Sequence, residues 1–366
     1  MARPYVSVLI DTYNHEKFIE RAIVSALEQD FPTEEFEIFV VDDGSTDRTA
    51  ELVKKFAPRV THIAKQNGGQ ASAFNAGIPQ CRGEIVAFLD GDDWWKPNKL
   101  STVAKAMDSD PAIGIVGNGL VIVQPDGTEE NEFLREGNRF CANSPAGAKS
   151  FIVRGSFLGT SRMTIRSRVL AEIGPIPESI VFEADEYLFT LAAVLHDAYI
   201  LPDLLTYYRL HGSNLYQITN ADGDRLRRKC RILQALEIAL VDRFSELNVN
   251  SKAARIITNN IKADADSLRL SLDGGLPWET FRSEWRLYQQ VIDVASPVHR
   301  AFKFMTLLPS LLLPPRVYFR LKRALVESPF YRRARRHLLP NPSHGHVLRV
   351  TQNRDLGQKA NANSRH

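Results

Sequence analysis

Short apolar runs that end in carboxylates, each separated from the next by a helical stretch, are the feature that most restricts how this chain can fold. Val6–Ile10, Phe36–Val41 and Glu84–Leu89 lead directly into Asp11, Asp42-Asp43 and Asp90-Gly91-Asp92-Asp93. Between the first two, Phe18, Ile19, Ala22, Ile23, Ala26 and Leu27 recur at helical spacing, which predicts an amphipathic helix over Asn14–Gln29. Asp43-Gly44-Ser45-Thr46 turns into a second helix, with Ser45 or Thr46 as its N-cap. Val60–Ala64 reads as a strand, Asn67-Gly68-Gly69 as a turn, Gln70–Ile78 as a helix and Ile113–Val123 as a further strand, with another helix opened by Pro97. Strands alternating with helices imply an α/β fold whose mostly parallel sheet carries helices on both faces. Ligands in such sheets bind beyond the carboxyl ends of the strands, so the acidic ends are expected to converge on one crevice.

Carboxylates packed as closely as Asp90, Asp92 and Asp93 repel one another unless a cation sits among them. Hard divalent ions take oxygen ligands and keep positions open for phosphate. The simpler alternative is a turn before the helix that Pro97 opens. Asp42 and Asp43 suit hydrogen bonds to a ribose or nucleobase, or an Asx turn with a helix cap. Asn67-Gly68-Gly69-Gln70 is a turn that also allows close backbone approach to an anion at a helix N-terminus.

Order and spacing make the combination far more specific than any one piece. VSVLIDTYN, VVDDGSTD, NGGQASAFNAGI and GEIVAFLDGDDWW follow one another within residues 5–125, and GTSRMTIRSRVLAEIGPIPE, FEADEYLFTLAA and LPDLLTYYRLHGSN extend the pattern to about residue 220. This stretch resembles the nucleotide-binding domain of family 2 glycosyltransferases, which have the GT-A fold. The resemblance implies an inverting, metal-dependent, hexosyltransferase-type enzyme that moves one sugar from a nucleotide diphosphate-sugar to a hydroxyl. It implies that Asp43, with Asp42 beside it, holds the base. Asp90 then lies near the ribose and diphosphate, and Asp92 ligates Mn²⁺ or Mg²⁺. Thr12, Asn67 and Gly91 fall within the matched pieces and join the expected nucleotide-sugar site. Asp185 falls where the family places its catalytic base, with Glu183 and Glu186 as the alternatives; acids at a helix start are also favourable without any catalytic role. His211, in Tyr208-Arg209-Leu210-His211, is expected near the metal or the diphosphate, and Arg209 near phosphate or a carboxylate. One of Trp94 and Trp95 could line the acceptor side, the other being core. Two departures matter. Phe74 precedes Asn75 where many members carry arginine, and there is no Gln-x-x-Arg-Trp motif. The second points to one sugar per encounter rather than processive synthesis.

Several other classes are disfavoured. The 46 basic residues against 43 acidic ones, a net charge of +3, give no case for nucleic acid. Three scattered cysteines offer neither a disulfide framework nor a zinc site. No glycine- and lysine-rich phosphate loop marks a nucleotidyltransferase. A scaffold that kept the fold and lost catalysis would be expected to have lost Asp90, Asp92 or Asp185. No basic-then-apolar leader precedes the first strand, and the apolar stretch from Phe302 to Leu313 is short and interrupted by Pro309. A cytoplasmic chain is expected, with a place on the inner membrane face left open.

Residues 1–220 are read as the catalytic domain, 221–340 as a helical accessory region and 341–366 as a disordered tail. Between Arg300 and Leu339, ten Lys and Arg residues stand among aromatic and aliphatic ones, with Glu327 as the one acid. That mixture suits a helix in a membrane interface, or a bundle that packs on the catalytic domain or on a second subunit. The first of these fits a lipid-linked acceptor, a glycan being the other class, in bacterial cell-surface polysaccharide or glycolipid synthesis. Oligomeric state stays open.

Overall fold

The structure, a computed structural model, describes residues 3–131, 137–152, 158–211, 223–292 and 297–328. The expected tail from 341, and the basic stretch beyond 328, lie outside the described residues.

The first half runs β1 (Val6–Thr12), α1 (Ile19–Leu27), β2 (Phe36–Asp42), α2 (Thr49–Lys54), β3 (Thr61–Ala64), α3 (Gln70–Gly77), β4 (Ile85–Asp90), β5 (Trp94–Trp95), α4 (Lys99–Asp108) and β6 (Ile113–Val123). It continues through β7 (Glu129–Asn131), β8 (Asn138–Phe140), α5 (Pro145–Ser150), β9 (Thr164–Arg166), α6 (Ser167–Ile173), α7 (Ala184–Leu195) and β10 (Asp197–Arg209). Five helices follow: α8 (Gly223–Glu246), α9 (Ser251–Asp273), α10 (Pro277–Val291), α11 (Pro297–Leu312) and α12 (Pro315–Glu327).

The sheet order is β3-β2-β1-β4-β9-β6-β10-β5. β3, β2, β1 and β4 are parallel, as the alternation of strands and helices requires. The rest is mixed rather than mostly parallel. β9 lies antiparallel between β4 and β6, and β5 runs antiparallel to β10. β9 is three residues long, and β5, two residues long, follows β4 after a tight turn; neither is built by the βαβ crossover that enforces parallel pairing. Arg166 anchors β9, its guanidinium donating to the Ile113 and Met107 carbonyls and to Glu84.

Side chains alternate across the sheet, so each strand feeds two cores. Val8, Ile10, Ala87 and Leu89 pack with α1 and α4 on one face. Leu9, Val41, Val86 and Phe88 pack with α3, α6 and α7 on the other. Phe74 is fully buried against Phe88, their ring centres 5.1 Å apart. α8 and α9 add Leu233, Leu236, Leu240, Phe244, Ile257 and Ile261 to this second core. α12 instead contributes Tyr318 and Phe319 to a small separate cluster with Leu270 of α9.

The first helix begins later than its apolar period, at Ile19 rather than Asn14. Asn14 sits at φ +56°, and its backbone N–H donates to Ser45 Oγ (2.9 Å) while its Oδ1 accepts from the Thr46 N–H (2.8 Å). Ser45 and Thr46 are thereby used to tie the two loops together. The N-cap of α2 is Arg48, which gives no side-chain bond, and Asp47 before it makes an Asx turn, its Oδ1 accepting from the Thr49 N–H at 2.9 Å.

Candidate functional site

Parallel register places the carboxyl ends of β1, β2 and β4 at one edge of the sheet, with Asp11 directly beside Asp90. The Gly91 N–H donates to the Asp11 carbonyl at 2.9 Å. A Cβ on Gly91 would lie 2.6 Å from Thr12 Oγ1 and 2.8 Å from His15 Nδ1. Glycine is therefore what lets the acidic loop close over β1. Asp11 Oδ1 is buried with no hydrogen-bond partner. Burial, and then the charge of Asp92, push the Asp11 carboxyl up to about 7.

Asp90, Asp92 and Asp93 each bring a carboxylate oxygen within 4.8 Å of the other two. Asp93 is held inside the protein: Ser161 Oγ donates to it at 2.6 Å and the Arg209 N–H at 3.0 Å. Asp90 has looser contacts, with Ser161 Oγ at 3.4 Å and Gln70 Nε2 at 3.5 Å. Burial first, then the neighbouring carboxylates, raise Asp90 well above the usual carboxylate range, and Asp93 is raised in the same way. Asp92 behaves oppositely. Burial works against its charge, but His15, 3.9 Å away, and His211, whose Nε2 lies 2.8 Å from Oδ2, outweigh it and hold Asp92 low. Three carboxylates so close cannot all ionise without a counter-charge. Hard oxygen donors this close together fit a divalent cation.

The second acidic end is engaged by the protein itself. Asp43 accepts from the Gly69 N–H (2.7 Å), the Gly68 N–H (3.0 Å), Asn67 Nδ2 (3.2 Å) and Lys65 Nζ (2.7 Å). The glycine turn thus directs two amides at a carboxylate of its own chain. Asp42 accepts from the Ser45 N–H at 2.9 Å and lies 3.6 Å from His62 Nε2. Gly69 needs its residue type: φ is +85°, and a Cβ would meet the Val181 carbonyl at 2.5 Å.

Asp185 opens α7, a helix buried almost all round. Its Oδ2 accepts from the Thr160 N–H at 3.2 Å. Thr160 Oγ1 takes a bond from Gln70 Nε2 at 2.9 Å, and Gln70 reaches Asp90. A polar chain therefore links Asp90 to Asp185 through residues 70 and 160. Glu183 is fully buried, 3.7 Å from Lys229 Nζ, and Glu186 is buried too.

Arg209 donates through Nε to the Asp92 carbonyl at 3.0 Å, and its guanidinium lies 4.5 Å from the Trp94 ring centre. Trp94 is buried, with the Arg21 guanidinium 3.5 Å from its ring centre, and stacks on Tyr207. Trp95 is buried with Nε1 donating to the Ser161 carbonyl. The structure therefore gathers Thr12, Asp90, Gly91, Asp92 and His211 at one point, with Asp42, Asp43 and Asn67 along the same edge and Asp185 on the facing wall. Sequence reasoning assigned no individual role to Ser161, Thr160 or His15, and Gln70 entered only as the end of the glycine turn. Gln70, Thr160 and Ser161 do lie within the matched pieces, whereas His15 falls just past the end of the first one.

Residues 7–165 match the family description "Glycosyl transferase family 2". That segment is similar to family 2 glycosyltransferases. It is 34% identical over 228 residues to an uncharacterized glycosyltransferase of Nostoc sp., covering 57% of this chain and 66% of that protein. It is 39% identical over 106 residues to poly(ribitol-phosphate) beta-N-acetylglucosaminyltransferase TarS of Staphylococcus aureus, covering 28% of this chain and 18% of TarS. The chain thus spans about two thirds of the first relative and under a fifth of the second. The crystal structure of S. aureus TarS 1–349 in complex with UDP-GlcNAc superposes with a TM-score of 0.57 at 22% identity, over 87% of this chain and 92% of that one. At that identity the likeness is one of fold, here GT-A. Among the described residues no helix is long and apolar enough to cross a membrane.

Proposed function

We propose that this protein is an inverting, non-processive glycosyltransferase of the hexosyltransferase type. It moves one sugar from a nucleotide diphosphate-sugar to a hydroxyl of a lipid-linked or glycan acceptor, in bacterial cell-surface polysaccharide or glycolipid synthesis. The observation that carries this reading is the meeting of Asp90, Asp92 and His211 at the sheet edge, linked by Gln70 and Thr160 to Asp185. The activity named for TarS, and its crystallisation with UDP-GlcNAc, support a sugar nucleotide as donor. Residues 1–220 form the catalytic unit in this reading, and 221–340 an accessory region placed at the inner membrane face.

Asp90 and Asp92 would hold Mn²⁺ or Mg²⁺, with His211 beside Asp92; the ion, when bound, offsets charge on the departing diphosphate. Asp93 keeps the loop in place through Ser161 and Arg209. Thr12, Asp42, Asp43, Asn67 and Gly91 shape the nucleoside corner. Asp43 does so chiefly by fixing the loop, because Lys65, Asn67, Gly68 and Gly69 occupy its acceptor directions. Asp185 takes the proton of the acceptor hydroxyl as its oxygen bonds to the anomeric carbon. The bond from that carbon to the diphosphate oxygen breaks, and the nucleoside diphosphate leaves with the electron pair. Attack from the face opposite the leaving group inverts the centre, as in single-displacement glycoside cleavage.

Thermal stabilisation by UDP, GDP and dTDP, each with and without Mn²⁺, tests this reading. A ligand that binds only the folded state raises its apparent stability. A metal-dependent shift with one nucleotide is expected. No shift with any of them, in folded protein, would overturn the reading in favour of a scaffold.

A further inference from the structure

α11 is amphipathic in the reverse sense. Phe304, Met305, Leu308 and Leu312 are each more than 60% exposed. The opposite side of the same helix turns Lys303, Thr306, Leu307 and Ser310 inward, with Leu307 and Ser310 buried. The inward residues meet a polar interior. Glu284 of α10, 1% exposed, pairs with Lys322 of α12 at 2.5 Å, and both Glu284 and Asp264 of α9 interact with Lys303. Turning α11 to bury Leu308 and Leu312 would carry Lys303 away from these carboxylates, so the charge network fixes that apolar side outward.

The outward side continues onto α10 as a ladder of rings. Trp278, Phe281, Trp285 and Tyr288 follow at spacings of 5.5, 6.0 and 5.7 Å, and Tyr288 lies 6.2 Å from Phe304. α12 shows a third apolar stripe, Val317, Leu321 and Leu325, flanked by exposed Arg316 and Arg320.

We infer that the outer face of α10 and α11, with the α12 stripe, docks on an anionic lipid surface. This deepens the inner-face placement in the proposed function. Aromatic rings with exposed aliphatic side chains suit the boundary between headgroups and acyl chains better than a sugar polymer, which leucine and methionine do not recognise. Charge selects the occupant. Of the ten basic residues in 300–339, set against one acid, Lys303 and Lys322 turn inward, while Arg316 and Arg320 stand exposed beside the α12 stripe. That excess attracts anionic headgroups and repels a second copy of itself.

Vesicle flotation of the full chain, without nucleotide or metal, tests this separately from sugar transfer. Flotation is expected with equal parts phosphatidylcholine and phosphatidylglycerol but not with phosphatidylcholine alone, and it should weaken as salt is raised. Phe304→Ser with Leu308→Ser and Leu312→Ser should weaken binding at least about tenfold. Arg316→Glu with Arg320→Glu should weaken it on anionic vesicles without touching the apolar face. Circular dichroism melts show which variants fold. Wild-type protein that floats with neither vesicle, or folded variants of both kinds that float like wild type, would overturn the inference. So would sedimentation velocity revealing a dimer that the serine variant dissolves, which would assign the face to a second copy.

Discussion

Replacing Asp43 with alanine should destabilise the protein far more than an exposed acid would. Its carboxylate is 4% exposed and receives the Gly68 and Gly69 amides, Asn67 Nδ2 and Lys65 Nζ. Hydrogen bonds to a charged acceptor contribute about 1.5–3 kcal/mol each, and a buried donor left without a partner costs about 1–3 kcal/mol. Lys65 is partly exposed and can return to water, so its share is small. The two amides remain, and they point into a turn that Gly69 holds at φ +85°. A loss of about 3–5 kcal/mol in urea unfolding followed by circular dichroism is expected. A domain with ordinary stability would stay folded at room temperature. The Asp43→Ala protein should also bind nucleotide more weakly, because the turn leads straight into Gln70. A loss below about 1 kcal/mol would show that these bonds do not hold the loop and would refute the reasoning.

Three further outcomes follow from the same geometry. Gly91→Ala crowds Thr12 and His15, and should cost about 1–3 kcal/mol in thermal unfolding, with weaker metal-dependent nucleotide binding. Asp185→Asn should lower kcat about 10²–10⁴-fold while donor binding by calorimetry changes little. Burial, offset in part by Lys229, Lys303 and Lys322, raises Asp264 to about 6. The unfolded state therefore releases this proton first as pH rises, and the group's contribution to stability falls between about pH 4 and pH 6 and stays low above it. Asp264→Asn should flatten that fall and raise stability at pH 7 by about 1–3 kcal/mol in urea titrations at a series of pH values.

The acidic strand ends were legible because parallel strands share one carboxyl edge, so Asp11, Asp42-Asp43 and Asp90 had to arrive together. Likewise, the phases of α1 and of strands β1, β2 and β4 follow from residue spacing alone. The partners that fix the site were not legible. Ser161 and Thr160 act about 70 and 25 residues along the chain from the acids they hold. They belong to a short helical turn before β9, a three-residue strand too brief to show a period. The reversal at β9 was hidden for the same reason. Ser45 looked like a helix cap because serine favours caps, yet the Asn14 N–H across the loop claims it. For α11 the sequence left a membrane-interface helix and a packed bundle both open. Only Lys303, Glu284 and Lys322 packed together reveal that the polar side faces inward.

The most direct test of the central claim is electron paramagnetic resonance of free Mn²⁺ titrated with protein, with and without the nucleoside diphosphate chosen by the thermal screen. We expect wild-type protein to remove the free-ion signal much more strongly when the nucleotide is present, and Asp92→Ala to lose that effect while its melting behaviour stays close to wild type. An unchanged free-ion signal with wild-type protein and nucleotide, or equal removal by Asp92→Ala, would contradict the assignment of the Asp90–Asp92 loop as the metal–diphosphate site.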